Sequence, residues 1–138
     1  MITIVIPNEI RAKFNRVWWM LKLTYGLFLI AAGADKFVNF LTYWPKYVSA
    51  TVLAVIPLPV ESLLYIFAII EIIIGLLILS KFTRIGAYLA VVSMGIVVLN
   101  LLSMFTVFDI VTRDVVMIIG ALALAWLTEI KEEFHIAK

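Results

Sequence analysis

No cysteine occurs in the 138 residues, which excludes disulfides, thiol redox chemistry, iron–sulfur clusters and cysteine-ligated zinc. A single histidine, His135, is too little for a histidine-ligated metal or haem. Charge is scarce as well. Only 14% of residues are Asp, Glu, Lys or Arg, where a soluble globular chain usually carries about 25%. The net charge of +2 gives no footing for nucleic acid. No Gly-rich phosphate loop and no Ser–His pairing is present, so catalysis by nucleophile or metal has no support in the composition.

What the chain does have is apolar length. Hydrophobic residues make up 65% of it, and four stretches approach the roughly 20 residues that a helix needs to cross a bilayer. They run from about Val17 to Ala34, Val60 to Leu79, Ile85 to Phe105, and Asp114 to Ile130. The expected fold is an all-α bundle of four transmembrane helices in one domain, residues 1–138. Residues 1–16 are expected to form an interfacial segment. There, Ile2–Ile6 precedes Pro7, and Asn8 would cap a short amphipathic helix with Ile10 and Phe14 on one face. The long connection Asp35–Pro59 is too apolar for a free loop, with Phe40, Tyr43, Trp44 and Tyr47. It is expected to lie along the interface or to re-enter the bundle.

Ala32-Gly33-Ala34 resembles a leader-peptidase site. The segment before the apolar run is long, however, and the run contains Lys22, so a retained first helix is expected. Basic residues set the topology. Arg11, Lys13, Arg16, Lys81, Arg84, Lys131 and Lys138 fall on one side, against Lys36, Lys46 and Arg113 on the other. Seven against three favours both termini in the cytoplasm, which is the expected orientation.

Each helix carries a stripe of small or polar residues at helical spacing. The stripes are Lys22, Gly26 and Gly33; Glu61, Ala68, Glu71 and Gly75; Gly86, Ala90, Ser93 and Asn100; and Asp114, Ala121, Ala125 and Thr128. Small residues let helices approach closely in lipid, so these stripes should face one another, with Gly26, Gly33, Gly75 and Gly86 as packing positions. Packing does not explain two of the charges. Glu71 lies about 12 Å from the inner end of the second helix, and Lys22 about 8 Å into the first from the same side. A lone charge at that depth costs at least about 2.5–3.5 kcal/mol, so the two are expected to pair. They form either a structural pin or a polar ligand site, together with Ser93 and Asn100. A second polar cluster is expected at the outer mouth, from Asp35, Lys36, Glu61, Arg113 and Asp114. Asp109 is a candidate cap, and Asn100 has no evident partner.

Three blocks together resemble the DoxX-like family of small bacterial membrane proteins. The first runs from Lys22 through Gly26 and Gly33 to Lys36. The second is Pro57 and Pro59 ahead of Glu71-Ile-Ile-Ile-Gly75, continuing to Thr83-Arg84. The third is Arg113-Asp114 ahead of Gly120. Departures are Ser80-Lys81 in place of a glycine, the acidic Glu129–Glu133 tail, and Lys22 where arginine is commoner. The resemblance implies four membrane helices, membrane or periplasmic partner proteins, and a link to quinone- or thiosulfate-linked oxidoreductase complexes or to oxidative-stress complexes.

Three functions follow as expectations. The first is an accessory or assembly subunit of a membrane oxidoreductase in the bacterial inner membrane. The second is a binding protein for a lipophilic molecule, a quinone or lipid, gripped by Lys22 and Glu71. The third is a small transporter built as a homo-oligomer. The chain offers no redox ligand of its own, so a quinone, or a group on a partner, would carry any electrons.

Overall fold

The computed structural model describes residues 5–135, and every regular element among them is helical. The elements are α1 (Asn8–Val38), a 3₁₀ turn at Trp44–Tyr47, α2 (Ala50–Val55), α3 (Val60–Leu79), α4 (Thr83–Leu102) and α5 (Phe108–Glu133). Helices α1, α3, α4 and α5 are each long and apolar enough to cross a membrane. The chain is an integral membrane protein with a four-helix transmembrane bundle. An even number of crossings brings α1's beginning and α5's end to the same face, called here the termini side. The connection between α1 and α3 caps the opposite, loop side.

The α3 boundaries match the apolar run. Pro59, at φ −55°, stands at its entry and cannot donate into a preceding turn, and Ser80 closes it with its N–H on the Leu76 and Leu77 carbonyls. The other ends differ from the hydropathy pattern. α1 begins at Asn8 rather than near Val17, because nothing between Pro7 and Gly26 breaks a helix. The expected separate segment 8–16 is therefore the first turns of α1. Asn8 is a helical residue, not a cap, and residues 1–4 of that segment lie outside the described part. α1 also runs past Ala34 to Val38, which places Asp35 and Lys36 on the helix rather than in the connection. α5 starts at Phe108, with Asp109 in its first turn, where an acidic side chain suits the helix dipole.

α1 packs along α3, and α4 along α5, while a short turn joins α3 to α4. The α1–α3 seam is close. A Cβ on Gly75 would stand 2.7 Å from the Gly26 carbonyl oxygen, and one on Gly33 would stand 2.7 Å from that of Ala68. At Gly86 the obstacle is the backbone nitrogen of Ile78, also 2.7 Å away. Gly120 makes room for the Tyr25 hydroxyl, which donates 2.7 Å to the Met117 carbonyl and joins α1 to α5. Trp18 does the same nearer the termini: its Nε1 donates 2.9 Å to Thr128 Oγ1. Around these contacts lies a core that includes Leu29, Ile74, Ile78, Met94 and Leu124. The lipid-facing residues, such as Ile69, Ile73, Val92, Ile96 and Ile119, remain exposed, as a bilayer solvent allows.

Candidate functional site

The glycine contacts fix the register of α1 against α3. Gly26 faces Gly75, and Gly33 faces Ala68 and Ile72, so Glu71 is level with about Ile30. Counting 1.5 Å per residue, Lys36 stands about 9 Å toward the loop side of that level, and Lys22 about 12 Å toward the termini side. Side-chain direction then decides between them. Every helical Cα–Cβ bond tilts toward its own N-terminus, and α1 and α3 are antiparallel. Lys36 therefore leans down toward Glu71 while Glu71 leans up toward Lys36. Lys22 leans away from both.

The result is a buried ion pair, Lys36 Nζ to Glu71 Oε2 at 2.6 Å, with the two side chains 6% and 9% exposed. The expected Lys22–Glu71 pair does not form. Lys22 instead donates 2.9 Å to the Ser80 carbonyl at the end of α3, with its ammonium 4.7 Å from the Trp18 ring centre and 5.0 Å from that of Trp19. Axial height alone made Lys22 look near enough. The register and the tilt put it out of reach.

The pair is roofed by the connection. Trp44 lays its ring over the Lys36 ammonium, 3.8 Å from centre to nitrogen. The same indole donates 2.6 Å from Nε1 to Asp35 Oδ2. Asp35 Oδ1 accepts the backbone N–H groups of Phe40 and Leu41, each at 2.9 Å. A carboxylate near a helix C-terminus is unfavourable by the dipole, and these three N–H donors compensate it. Lys36, in the same last turn, has the charge the dipole favours. Asn39 ends α1 in the left-handed conformation, at φ 52°, which asparagine tolerates, and its Oδ1 takes the Trp44 N–H at 3.0 Å.

Asn100 completes the roof from α4. Its Nδ2 donates 2.6 Å to the Tyr47 carbonyl, and its Oδ1 accepts the Ser49 N–H at 3.0 Å. Ser49 in turn caps α2, accepting from Val52 N at 3.2 Å. Asn100's partner is thus the backbone of the connection, not another helix. Tyr47 packs among Val98, Leu101 and Val111 beneath it.

The two expected clusters are redistributed accordingly. Asp35 and Lys36 leave the rim and join Glu71 in one node. Asp114 is partly buried on α5, within electrostatic range of both Lys36 and Glu71, and is held by the Arg113 guanidinium at 3.3 Å. Glu61 is exposed on the first turn of α3 and stays outside the node, as does the exposed Arg113. Ser93 is buried on α4, and no hydrogen bond joins it to Lys36 or Glu71. Trp44 and Asn39 were not singled out from the sequence as parts of a site. Their signals were there: an asparagine just after an apolar helix, and a tryptophan followed by Pro45 in a helix-poor stretch.

A protein-family model described as DoxX matches residues 17–107, about two thirds of the chain. The chain belongs to the DoxX family. The matched part contains Lys36, Asn39, Trp44, Glu71 and Asn100, so the node and its roof lie within the DoxX region. The match stops before α5, leaving Asp114 and the third block, Arg113-Asp114 with Gly120, beyond it. Among curated proteins and solved structures, nothing matches the chain.

Proposed function

We propose that this DoxX-family protein is an accessory subunit of a quinone- or thiosulfate-linked oxidoreductase complex. Its place is the bacterial cytoplasmic membrane, with both termini cytoplasmic and the roofed end in the periplasm. One observation carries the reading: the charge buried at the loop side is used to hold architecture. Lys36 and Glu71 satisfy each other, and Asp35, Asn39 and Asn100 pin the connection in place. Both side chains of the pair are less than a tenth exposed. A rigid roof results, presenting exposed Phe40, Leu41, Tyr43 and Phe105 at the loop side. Aromatic and apolar side chains on a fixed frame suit docking to another membrane or periplasmic subunit. Electron transfer, and the quinone that serves it, belong to the assembled complex.

Native mass spectrometry of gently extracted membranes tests this. A stoichiometric partner is expected with the wild type. It should be lost from Asp35→Asn, a change that loosens the roof without entering the lipid-facing surface. A chain recovered alone, or only as copies of itself, would overturn the subunit reading.

The alternative, a quinone or lipid gripped between Lys22 and Glu71, loses its geometry because Glu71 is already held by Lys36 at the far level. Lys22 is the charge left over, and it stands at the other end of the bundle.

A further inference from the structure

At the termini side a cavity of about 260 Å³ opens between α1, the α3–α4 turn and the end of α5. Three lysines line it: Lys22, Lys81 and Lys131. The one carboxylate on the lining among the described residues, Glu132, faces the Arg84 guanidinium at 3.5 Å. None of the three lysines has a carboxylate partner among the described residues. Lys22 is the telling member. It is 6% exposed, and among the described residues a backbone carbonyl is its single oxygen partner, so two of its three N–H donors have no oxygen acceptor. Lys131 crowds it: the Lys131 ammonium sits 3.5 Å from the Trp18 ring centre, over the same indole that Lys22 approaches. Lys131 feels the positive charge of Lys22. Two like charges gathered around one ring, with a third beside them, form an arrangement that an anion stabilises.

The lining adds to this. Thr83 opens α4 at the cavity, and Phe82, at the helix entry, provides no side-chain acceptor for the first-turn N–H groups. A helix N-terminus reinforces an anion site whose cations are already in place. The depth is that of lipid headgroups: α3 ends at Leu79, and exposed Trp19, Phe82 and Trp126 mark the aromatic belt at this face. The volume is several times the roughly 30 Å³ share of one water.

We infer that this cavity binds an anionic phosphate group, supplied by an acidic phospholipid of the adjoining leaflet, through Lys22, Lys81 and Lys131. Lys22 and Lys131 contact the phosphate oxygens, Trp18 orients both ammonium groups, and Lys81 closes the site from the turn. This does not depend on the accessory-subunit role, because it uses the opposite end of the bundle.

The test is native mass spectrometry of the delipidated full chain in detergent, with added phosphatidylglycerol, phosphatidylcholine or inorganic phosphate. One phosphatidylglycerol per chain is expected to be retained, at least about tenfold more tightly than phosphatidylcholine. Lys131→Gln and Lys22→Gln should each weaken retention about tenfold, Lys81→Gln less, and Lys46→Gln at the loop side not at all. Should Lys22→Gln fail to fold, Lys131→Gln and Lys81→Gln, at less buried positions, carry the comparison. Protection against thermal unfolding by inorganic phosphate, lost in Lys131→Gln and without lipid retention, would assign the phosphate site to a free anion. Equal retention of both lipids, or retention indifferent to all three lysine changes, would overturn the proposal.

Discussion

Glu71 has two lysines of α1 to choose from, and the direction of side chains on antiparallel helices makes the choice. The sequence displays both lysines and the glutamate, and it shows that a charge this deep must be neutralised. It does not display the register, which comes from Gly26, Gly33 and Gly75 meeting backbone across the seam. Nor does it display that α1 runs on through Lys36. Hydropathy marks where lipid begins, and a helix passes that point whenever its residues still favour it. Asp35 is the residue whose role was least legible, because its three donors come from a loop that only the fold brings back. Asp35→Asn converts a full negative charge into an amide and weakens all three bonds. Hydrogen exchange at the Phe40 and Leu41 amides is expected to rise about tenfold or more, while α3 and α4 stay protected. Unchanged exchange at those two amides would mean that Asp35 does not hold the roof.

Among the elements, the inward face of each helix was readable as a stripe of small residues, which lets helices approach closely in lipid, while the pairing of α1 with α3 and of α4 with α5 was not. The stripe predicts which face turns inward, and Gly26, Gly33, Ala68, Gly75, Gly86, Ala90, Ala121 and Ala125 are all buried. It does not predict how demanding each position is. Gly75→Ala and Gly33→Ala would drive a Cβ against a carbonyl oxygen of the facing helix, with an expected cost of about 1–3 kcal/mol. At Gly95 a Cβ meets nothing within 4 Å, so Gly95→Ala should be neutral or stabilising by up to about 1 kcal/mol. Unfolding of the three variants in mixed micelles separates the cases; a loss at Gly95 as large as that at Gly75 would contradict the seam. The ends of α1 and α5 escaped the sequence for a common reason. Charged first turns at Glu9 and Asp109 look like loop but are sound helix starts.

For the whole molecule, the four crossings were legible from composition, and the sidedness of the basic residues supplies an orientation that labelling can check. With no native cysteine, Lys13→Cys and Leu41→Cys each report a single site. A membrane-impermeant maleimide applied to intact spheroplasts is expected to modify residue 41 and spare residue 13. Labelling of residue 13 alone would invert the orientation, and labelling of both would break the four-span topology. The ion pair buried between Lys36 and Glu71 serves to hold the architecture of the bundle. A double-mutant cycle on global stability tests it most directly, using Lys36→Met, Lys22→Met and Glu71→Leu singly and in pairs. Each single change at 36 or 71 is expected to cost about 3–5 kcal/mol, because it leaves a charge buried without its partner. The 36–71 double should recover part of that, with a coupling of about 1–3 kcal/mol, and the 22–71 pair should show none beyond about 0.5 kcal/mol. Additive losses at 36 and 71, or a larger coupling between 22 and 71, would contradict the account.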